Sequence, residues 1–274
     1  MKDPRFWVVA ATHREQQLRW ILESFKRQTY HNKKLIIVEN GPAVGGCARQ
    51  GICPDRVVTS TENVAEARNA GVYSVIDNGG GWVCMMDDDD YYGPRYLEEY
   101  SIWVTKGIAE IYGKARHFVG YVDHGLYLYS ERNACKYLPM LHGPTFCFRA
   151  EDAVYYRGGR EGEETAWAMQ MQRLGFRMFA TSIHHFCYLR GGNPEDHAWQ
   201  AEDNWVHDTA KSNDYHYWFG DIDLRIVDNI IPWQTAVKER HGERFNRPIK
   251  LAAPVPLKIM PPKGDVSTLG LEAD

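Results

Sequence analysis

Runs of apolar residues alternate with helical patterns through the first third of the chain. Phe6–Ala11 is a continuous apolar run, which is typical of a strand buried on both faces of a sheet. Apolar residues then recur at helical spacing within residues 16–28, which predicts an amphipathic helix. Such alternation is typical of a parallel α/β sheet.

Two more strands and a helix continue the pattern. Strands are predicted at Lys34–Glu39 and at Val57–Thr59, and the turn sequence Asn40-Gly41-Pro42 ends the first of them. A helix is predicted over residues 62–76 and a fourth strand over Trp82–Met86. Polar residues that follow these strands should therefore gather at the carboxyl-terminal edge of the sheet, where α/β folds bind ligands.

The second half of the chain is less regular. Strands are predicted over residues 110–129, 145–149 and 178–188, and a helix over residues 163–174. Prolines and polar residues from residue 249 onward indicate a tail without a core of its own.

Composition and charge exclude several classes of protein. The 274 residues, 44% of them hydrophobic, suffice for a large globular domain. A net charge of −4 excludes the global basic field of non-specific nucleic-acid binding, and no apolar run is long enough for a signal peptide or a membrane span. The six cysteines show no zinc-ligand spacing, so we expect reduced core thiols in a cytoplasmic protein.

Four consecutive aspartates, Asp87–Asp90, directly follow the fourth predicted strand. Carboxylates this close raise one another's pKa or bind a cation. Their oxygens suit a hard divalent ion, Mg²⁺ or Mn²⁺, which keeps open positions for phosphate oxygens. The alternative is a solvated acidic turn in which one aspartate caps a helix that starts near Pro94.

Short motifs follow one another along the chain in an order that matches a known family. They are Ala11-Thr12-His13-Arg14, Gln28-Thr29-Tyr30, Glu39-Asn40-Gly41-Pro42, Ala67-Arg68-Asn69-Ala70-Gly71, the four aspartates, and Glu163-Glu164 followed by Gln172-Arg173-Leu174-Gly175-Phe176-Arg177. In this order they resemble glycosyltransferase family 2, which has the GT-A fold.

The resemblance implies an α/β fold with a Rossmann-like mixed sheet flanked by helices and an irregular C-terminal extension. It implies a GT-A domain over residues 1–210, with a nucleotide-sugar-binding half (1–95) and an acceptor-binding half (96–210), followed by an extension and tail over 211–274. The implied reaction transfers a sugar, with inversion, from a UDP- or GDP-sugar to a hydroxyl of a glycan, a lipid-linked intermediate, a protein or a modified nucleobase. The oligomeric state stays open.

By position, the resemblance assigns the donor site. Thr12 and His13 would line the nucleobase pocket, and Glu39 would accept a hydrogen bond from the base. Arg68 would lie near the diphosphate. Three structural alternatives stay open: His13 as a plain loop residue, Glu39 as a cap of a turn or helix, and Arg68 as a surface salt-bridge partner.

The acidic stretch would serve the leaving group. Asp87 would face the ribose or the metal, with Asp88 on the same nucleotide side, and Asp89 would bind the metal with Asp90 adjacent. The fold often returns a late histidine to the metal, and a neutral imidazole is a competent ligand. The candidates for that role are His184 and His185, followed by His197 and His207.

Glu164 is the expected general base for the acceptor hydroxyl. The family usually has aspartate at this position, and the extra methylene moves the carboxylate by roughly a bond length, so Glu163 is the alternative base. Both glutamates could instead only stabilise the start of their helix electrostatically. The rival to an enzyme is a non-catalytic GT-A-like module that binds a nucleotide or a glycan.

Overall fold

The computed structural model describes residues 3–61, 63–121, 125–129, 134–157, 162–190 and 216–236. The strands are β1 Phe6–Thr12, β2 Lys33–Asn40, β3 Arg56–Ser60, β4 Trp82–Met85, β5 Tyr91–Tyr92, β6 Ile111–Gly113, β7 Phe118–Tyr121, β8 Gly125–Tyr129, β9 Lys136–Tyr137, β10 Cys147–Arg149, β11 Met178–Ala180, β12 Phe186–Arg190 and β13 His216–Gly220. The helices are α1 Leu18–Lys26, α2 Gly46–Gln50, α3 Val64–Asp77, α4 Tyr96–Lys106, α5 Glu163–Arg173 and α6 Leu224–Val227.

A large mixed sheet has the strand order β3-β2-β1-β4-β10-β6-β11-β9. Its first four strands are parallel, while β10 runs antiparallel between β4 and β6. The chain moves outward from β1 to β3 and then returns to the other side of β1 as β4. The crevice beyond the ends of β1 and β4 is therefore the switch point at which α/β sheets bind ligands.

A smaller sheet has the order β13-β8-β7-β12-β5. Its strand β5 begins one residue after the acidic stretch and pairs with β12, whereas β4 of the large sheet ends two residues before it. The four aspartates therefore lie on the short connection between the two sheets, at the switch point.

The first strand is buried on both faces, as its apolar run predicts. Phe6, Val8 and Ala10 pack into one hydrophobic cluster, and Trp7 and Val9 pack into the cluster on the opposite face. Since side chains alternate along a strand, only a continuous apolar run can fill both faces. This packing fixes the position of Thr12 at the end of β1.

Helix α3 packs tightly against the same strand. A Cβ atom placed on Gly71 would overlap Val9 Cγ1 and would lie 3.2 Å from Val38 Cγ2. A glycine is therefore needed where the helix backbone approaches β1 and β2. This contact holds the amino-terminal half of α3 over the switch point.

Gly71→Ala should destabilise the fold although alanine is the better helix former. Overpacking typically costs about 1–3 kcal/mol, against a gain of about 1 kcal/mol in helix propensity. We expect a net loss in the free energy of unfolding, measured by urea denaturation. Gly71→Ala should cost less in a Val9→Ala background than in the wild type, because the overlapping methyl group is then absent. An unchanged midpoint in Gly71→Ala would contradict the close packing.

Two predicted strands are each divided in the structure. The prediction of one strand over residues 110–129 was wrong, because β6 lies in the large sheet while β7 and β8 lie in the small one. The strand over residues 178–188 is likewise split into β11 and β12. The break ends at His185, whose φ of 66° is left-handed and incompatible with a continuous strand. Apolar runs do not show where a chain changes sheets.

The described part of the C-terminal segment belongs to the small sheet. Strand β13 pairs with β8, and Phe219, Ile226 and Trp233 are buried in the hydrophobic cluster beneath that sheet. The predicted tail beyond residue 236 lies outside the described residues, as do His197 and His207. Within the described ranges, no helix combines the length and the apolar character that a membrane span requires.

The cysteines carry no disulfide. All six are free, and Cys47, Cys84, Cys147 and Cys187 are buried, as predicted for core thiols. Cys53 and Cys135 are exposed, so the prediction was wrong for these two.

Candidate active site

The end of β1 is tied to the second aspartate. Thr12 Oγ1 donates a hydrogen bond to Asp88 Oδ2, Arg14 Nε donates to the same oxygen at 3.1 Å, and Arg14 Nη2 pairs with Asp88 Oδ1. The same Nη2 lies 3.0 Å from Asp89 Oδ2. The Arg14 side chain is 11% exposed, so this guanidinium neutralises part of the acidic stretch away from bulk water.

A second arginine holds three carboxylates from the other side. Arg68 Nη2 lies 3.1 Å from Asp87 Oδ1, Nη1 lies 3.1 Å from Glu163 Oε1, and Nη1 also pairs with Glu164 Oε1. Its side chain is 8% exposed. The surface salt bridge considered above is therefore wrong for Arg68, which is a buried cation that joins the acidic stretch to the start of α5.

Neighbouring residues of α3 fix the position of Arg68. Asn63 caps the helix by accepting a hydrogen bond from the Glu66 amide at 3.1 Å. The side chain of Asn69 donates to the Tyr156 carbonyl at 2.9 Å and accepts from the Tyr156 amide at 2.8 Å. With the close packing at Gly71, these bonds give each residue of the Arg-Asn-x-Gly pattern a physical task.

Three of the aspartates converge. Asp87, Asp89 and Asp90 each offer an oxygen within 4.8 Å of the others. Asp90 is completely buried; its Oδ1 accepts a hydrogen bond from the Leu189 amide at 3.1 Å, and its Oδ2 has no hydrogen-bond partner among the described residues. A buried carboxylate oxygen without a donor is costly unless a cation binds it. The donor set therefore fits a hard divalent ion.

The backbone of the acidic stretch is also held in place. The Asp87 amide donates to Tyr92 Oη at 2.7 Å, and the Tyr92 hydroxyl donates to the Pro144 carbonyl at 3.1 Å. Helix α4 begins after Arg95 without a side-chain cap, so no aspartate caps it as the alternative proposed. Tyr92 was not predicted as a site residue, because it belongs to no motif in the sequence and lies in a strand of only two residues.

The negative charges of the clustered carboxylates repel one another. Burial raises the pKa of Asp87 to about 7; Arg68 opposes that rise, and the carboxylates of Glu164, Asp89 and Asp88 add to it. Burial, with the neighbouring Asp89 and Asp87, raises the pKa of Asp90 well above its ordinary value. Arg14 and Arg68 therefore do not fully offset the repulsion among the carboxylates, and a further cation would stabilise their ionised form.

Glu163 and Glu164 differ in exposure. Both begin α5 directly after Gly162, whose φ of 81° suits glycine. The side chain of Glu163 is 8% exposed and that of Glu164 is 26% exposed. A Cβ atom on Gly143 would overlap the Glu164 carboxylate, so only glycine allows this approach. Of the two glutamates, Glu164 is therefore the more open to solvent.

A histidine pair borders this carboxylate. The rings of His142 and His117 stack with centroids 4.4 Å apart, and His142 Nε2 is buried without a hydrogen-bond partner in the described structure. Burial lowers the pKa of His142 to about 4, against the opposing effect of Glu164, so the ring is neutral at pH 7. His142 was not predicted as a site residue, because it belongs to no motif in the sequence.

Glu39 and His13 are placed differently from the other predicted residues. Glu39 is buried, and its two oxygens accept hydrogen bonds from the amides of Gly45 and Cys47, each at 2.6 Å. It therefore caps the turn and helix α2, as the alternative proposed. His13 directly follows Thr12 and is exposed. The roles of both residues toward a nucleobase stay predictions.

Neither His184 nor His185 belongs to the cluster of potential metal ligands in the acidic stretch Asp87–Asp90. His185 Nδ1 lies 3.7 Å from Asp228 Oδ1, and Tyr91 donates a hydrogen bond to Asp228 Oδ2 at 2.6 Å. Burial lowers the pKa of His184 to about 4. In the described ranges, the only cluster of potential ligands close enough to share an ion contains Asp87, Asp89 and Asp90.

Comparison with known proteins finds one matching family model and several similar structures. Residues 6–101 match the sequence model of glycosyl transferase family 2. The structure of S. aureus TarS 1-349 is similar over 70% of this chain and 61% of that one, with 15% identity and a TM-score of 0.53. The same protein in complex with UDP-GlcNAc matches 87% of this chain and 74% of that one, with 13% identity and a TM-score of 0.55.

A third similar structure is the mannosyltransferase PcManGT from Pyrobaculum calidifontis in complex with GDP-Man and Mn²⁺. It matches over 77% of this chain and 61% of that one, with 14% identity and a TM-score of 0.50. The chain spans about three fifths of the length of the first of these structures. No curated protein matches by sequence. At such low identity the likeness establishes the fold, and the predicted GT-A architecture is confirmed.

Proposed function

We propose that this chain, whose residues 6–101 match the sequence model of glycosyl transferase family 2, transfers a sugar from a nucleotide-sugar donor to an acceptor hydroxyl. The observation that carries the proposal is the buried, unpartnered oxygen of Asp90 among three converging carboxylates at the switch point. A carboxylate cluster of this kind has no role in packing alone, since it destabilises the fold without a cation.

The donor site would use Asp89 and Asp90 to hold Mg²⁺ or Mn²⁺, with Asp87 facing the ion or the ribose. When bound, the ion would neutralise charge on the diphosphate oxygens of the donor. Thr12 at the end of β1 and His13 beside it would line the nucleobase pocket, and Asp88 would keep that strand end in register with the acidic stretch.

Arg68 is the proposed stabiliser of the leaving diphosphate. Its buried guanidinium already contacts carboxylates from both the acidic stretch and α5, so it lies where the donor and acceptor sites meet. A planar guanidinium grips phosphate oxygens through two parallel hydrogen bonds. Its charge would stabilise the negative charge that develops as the sugar leaves.

Glu164 is the proposed general base of an inverting transfer. It is the more exposed of the two glutamates, and the lack of a side chain at Gly143 lets its carboxylate lie directly against that residue. Glu163 is more deeply buried, where it holds Arg68. Base catalysis by Glu164 would remove the proton of the acceptor hydroxyl as the bond to the sugar forms.

The donor nucleotide and the cellular location are proposed from the similar structures and from the state of the cysteines. The similar structures contain UDP-GlcNAc and GDP-Man with Mn²⁺, which favours a UDP- or GDP-sugar here. We place the donor in residues 1–95 and the acceptor in residues 96–210, and the acceptor is a glycan, a lipid-linked intermediate, a protein or a modified nucleobase. Free cysteines fit a cytoplasmic location.

A thermal-shift screen tests the donor site. UDP, GDP and their common sugars, each with and without Mn²⁺, should raise the melting temperature only for the correct nucleotide and mainly with the ion. No shift with any nucleotide would overturn the proposed donor class. A non-catalytic module would pass this screen, so turnover must be measured as well.

Asp89→Ala should abolish Mn²⁺-dependent binding of the nucleoside diphosphate found in that screen. The substitution lies on a connection between strands, so the fold should survive. Calorimetry measures the effect, and Asp77→Ala, at the exposed far end of α3, is the matched control. Metal-dependent binding that is unchanged in Asp89→Ala would refute the assignment of this ligand.

A further inference from the structure

We propose that Arg14 sets the affinity of the acidic site for its divalent ion. In this arrangement Arg14 pairs with Asp89 when no donor is bound, and it stays paired with Asp88 whether or not a donor is bound. The proposal rests on the proposed function, because it assumes that Asp89 is a metal ligand. It makes Arg14 a positioning residue that couples ion binding to nucleotide binding.

The four aspartates are divided between two tasks. Asp88 is buried, and it accepts hydrogen bonds from Thr12 Oγ1 and from two nitrogens of Arg14. It is not among the three carboxylates that converge. A bidentate pair with arginine has a fixed geometry, so Asp88 serves as the anchor of the guanidinium.

Asp89 is shared between the two tasks. Its Oδ2 lies 3.0 Å from Arg14 Nη2, and the residue also belongs to the converging group. The Asp89 side chain is 21% exposed, so the pair is only partly screened by water. A divalent ion at Asp89 must loosen this contact, because it competes for the same carboxylate and repels the guanidinium.

A diphosphate would relieve that competition. Its oxygens offer the guanidinium an anionic partner that its planar fork can grip in place of Asp89, while the ion binds the freed carboxylate. Binding of the ion and binding of the nucleotide should then strengthen each other by the same factor. Without a nucleotide, the site should bind the ion weakly.

Removing Arg14 therefore has a predicted sign. Arg14→Gln should bind Mn²⁺ roughly 10-fold more tightly than the wild type when no nucleotide is present, because Asp89 loses a charge-assisted bond. Arg14→Lys keeps the charge but lacks the fork, so its affinity should lie between the two. With saturating UDP or GDP, whichever binds, the three affinities should converge.

The experiment is a calorimetric Mn²⁺ titration of the full chain with and without that nucleotide. Arg49→Gln is the control, because this substitution also removes one positive charge. Arg49 is exposed and pairs with Glu15, the residue that follows Arg14. Its Mn²⁺ affinity should change by less than about twofold, as expected for a solvent-screened charge. Circular dichroism and the melting temperature verify folding of each variant.

Equal or weaker Mn²⁺ binding in folded Arg14→Gln would overturn the proposal, because Arg14 would then only support the strand end. If Arg14→Gln fails to fold, an affinity of Arg14→Lys at or below that of the wild type has the same consequence. An affinity gain that persists undiminished with nucleotide would indicate a general field effect and would also overturn it. Wild-type protein that binds no Mn²⁺ even with nucleotide would overturn the proposed metal site as well.

Discussion

Glu164→Gln should leave donor binding intact while transfer to the acceptor falls by about 100 to 10,000-fold. Glutamine keeps the size and the hydrogen bonding of the side chain but cannot accept a proton. Arg68 would lose one of its three carboxylate partners and keep Asp87 and Glu163, so the site should stay assembled. Calorimetry with the nucleotide and a steady-state transfer assay measure the two halves of this prediction.

Glu163→Gln is the matched comparison, and its rate should fall less. Glu163 is more deeply buried than Glu164, so it is less able to reach an acceptor. An inactive Glu163→Gln beside an active Glu164→Gln would mean that the bases are assigned in the wrong order. Glu164→Asp then tests the departure from the family pattern, because near-complete loss would show a site rebuilt around the longer side chain.

Arg68→Ala should reduce both activity and stability. Loss of one cation at a developing negative charge typically lowers the rate about 100 to 1,000-fold. Asp87, Glu163 and Glu164 would also be left without their shared cation. Breaking such a buried ion pair costs about 3–5 kcal/mol, which urea unfolding should detect.

Arg68→Lys separates charge from geometry. Relative to Arg68→Ala, it should recover only part of the stability, because one ammonium cannot hold three carboxylates. It should recover even less of the rate, because a point charge lacks the fork that grips phosphate. Arg49→Ala, which breaks an exposed pair with Glu15, should change stability by less than about 1 kcal/mol. Near-normal turnover in Arg68→Ala would exclude this arginine from the transfer step.

The parallel half of the fold was accessible from the sequence because its signals are local. The continuous apolar run of β1 and the acidic stretch after β4 both lie where predicted. The motif around Arg68 was recognised, but its reasons were not, since they depend on Tyr156 and Val9 from distant parts of the chain.

The remaining contacts of the site could not be predicted from the sequence, because most of them join residues that are far apart along the chain. Arg14 carries no periodic signal, and its partners lie 74 and 75 positions away in the chain. His142 and Gly143 meet Glu164 only through the packing of a loop against α5. Glu39 was assigned to the nucleobase by resemblance alone, because helix α2, whose start supplies the amides of Gly45 and Cys47, was not predicted from the sequence.

The most direct test of the proposed sugar transfer is the release of nucleoside diphosphate from a panel of UDP- and GDP-sugars by the full chain, with Mn²⁺ and with a chelator. Slow transfer to water should reveal the donor even before the acceptor is known. We expect release of one nucleoside diphosphate that requires the ion and is lost in Asp90→Asn. Tight nucleotide binding without release of any diphosphate, or release that is equal in Asp90→Asn, would contradict it.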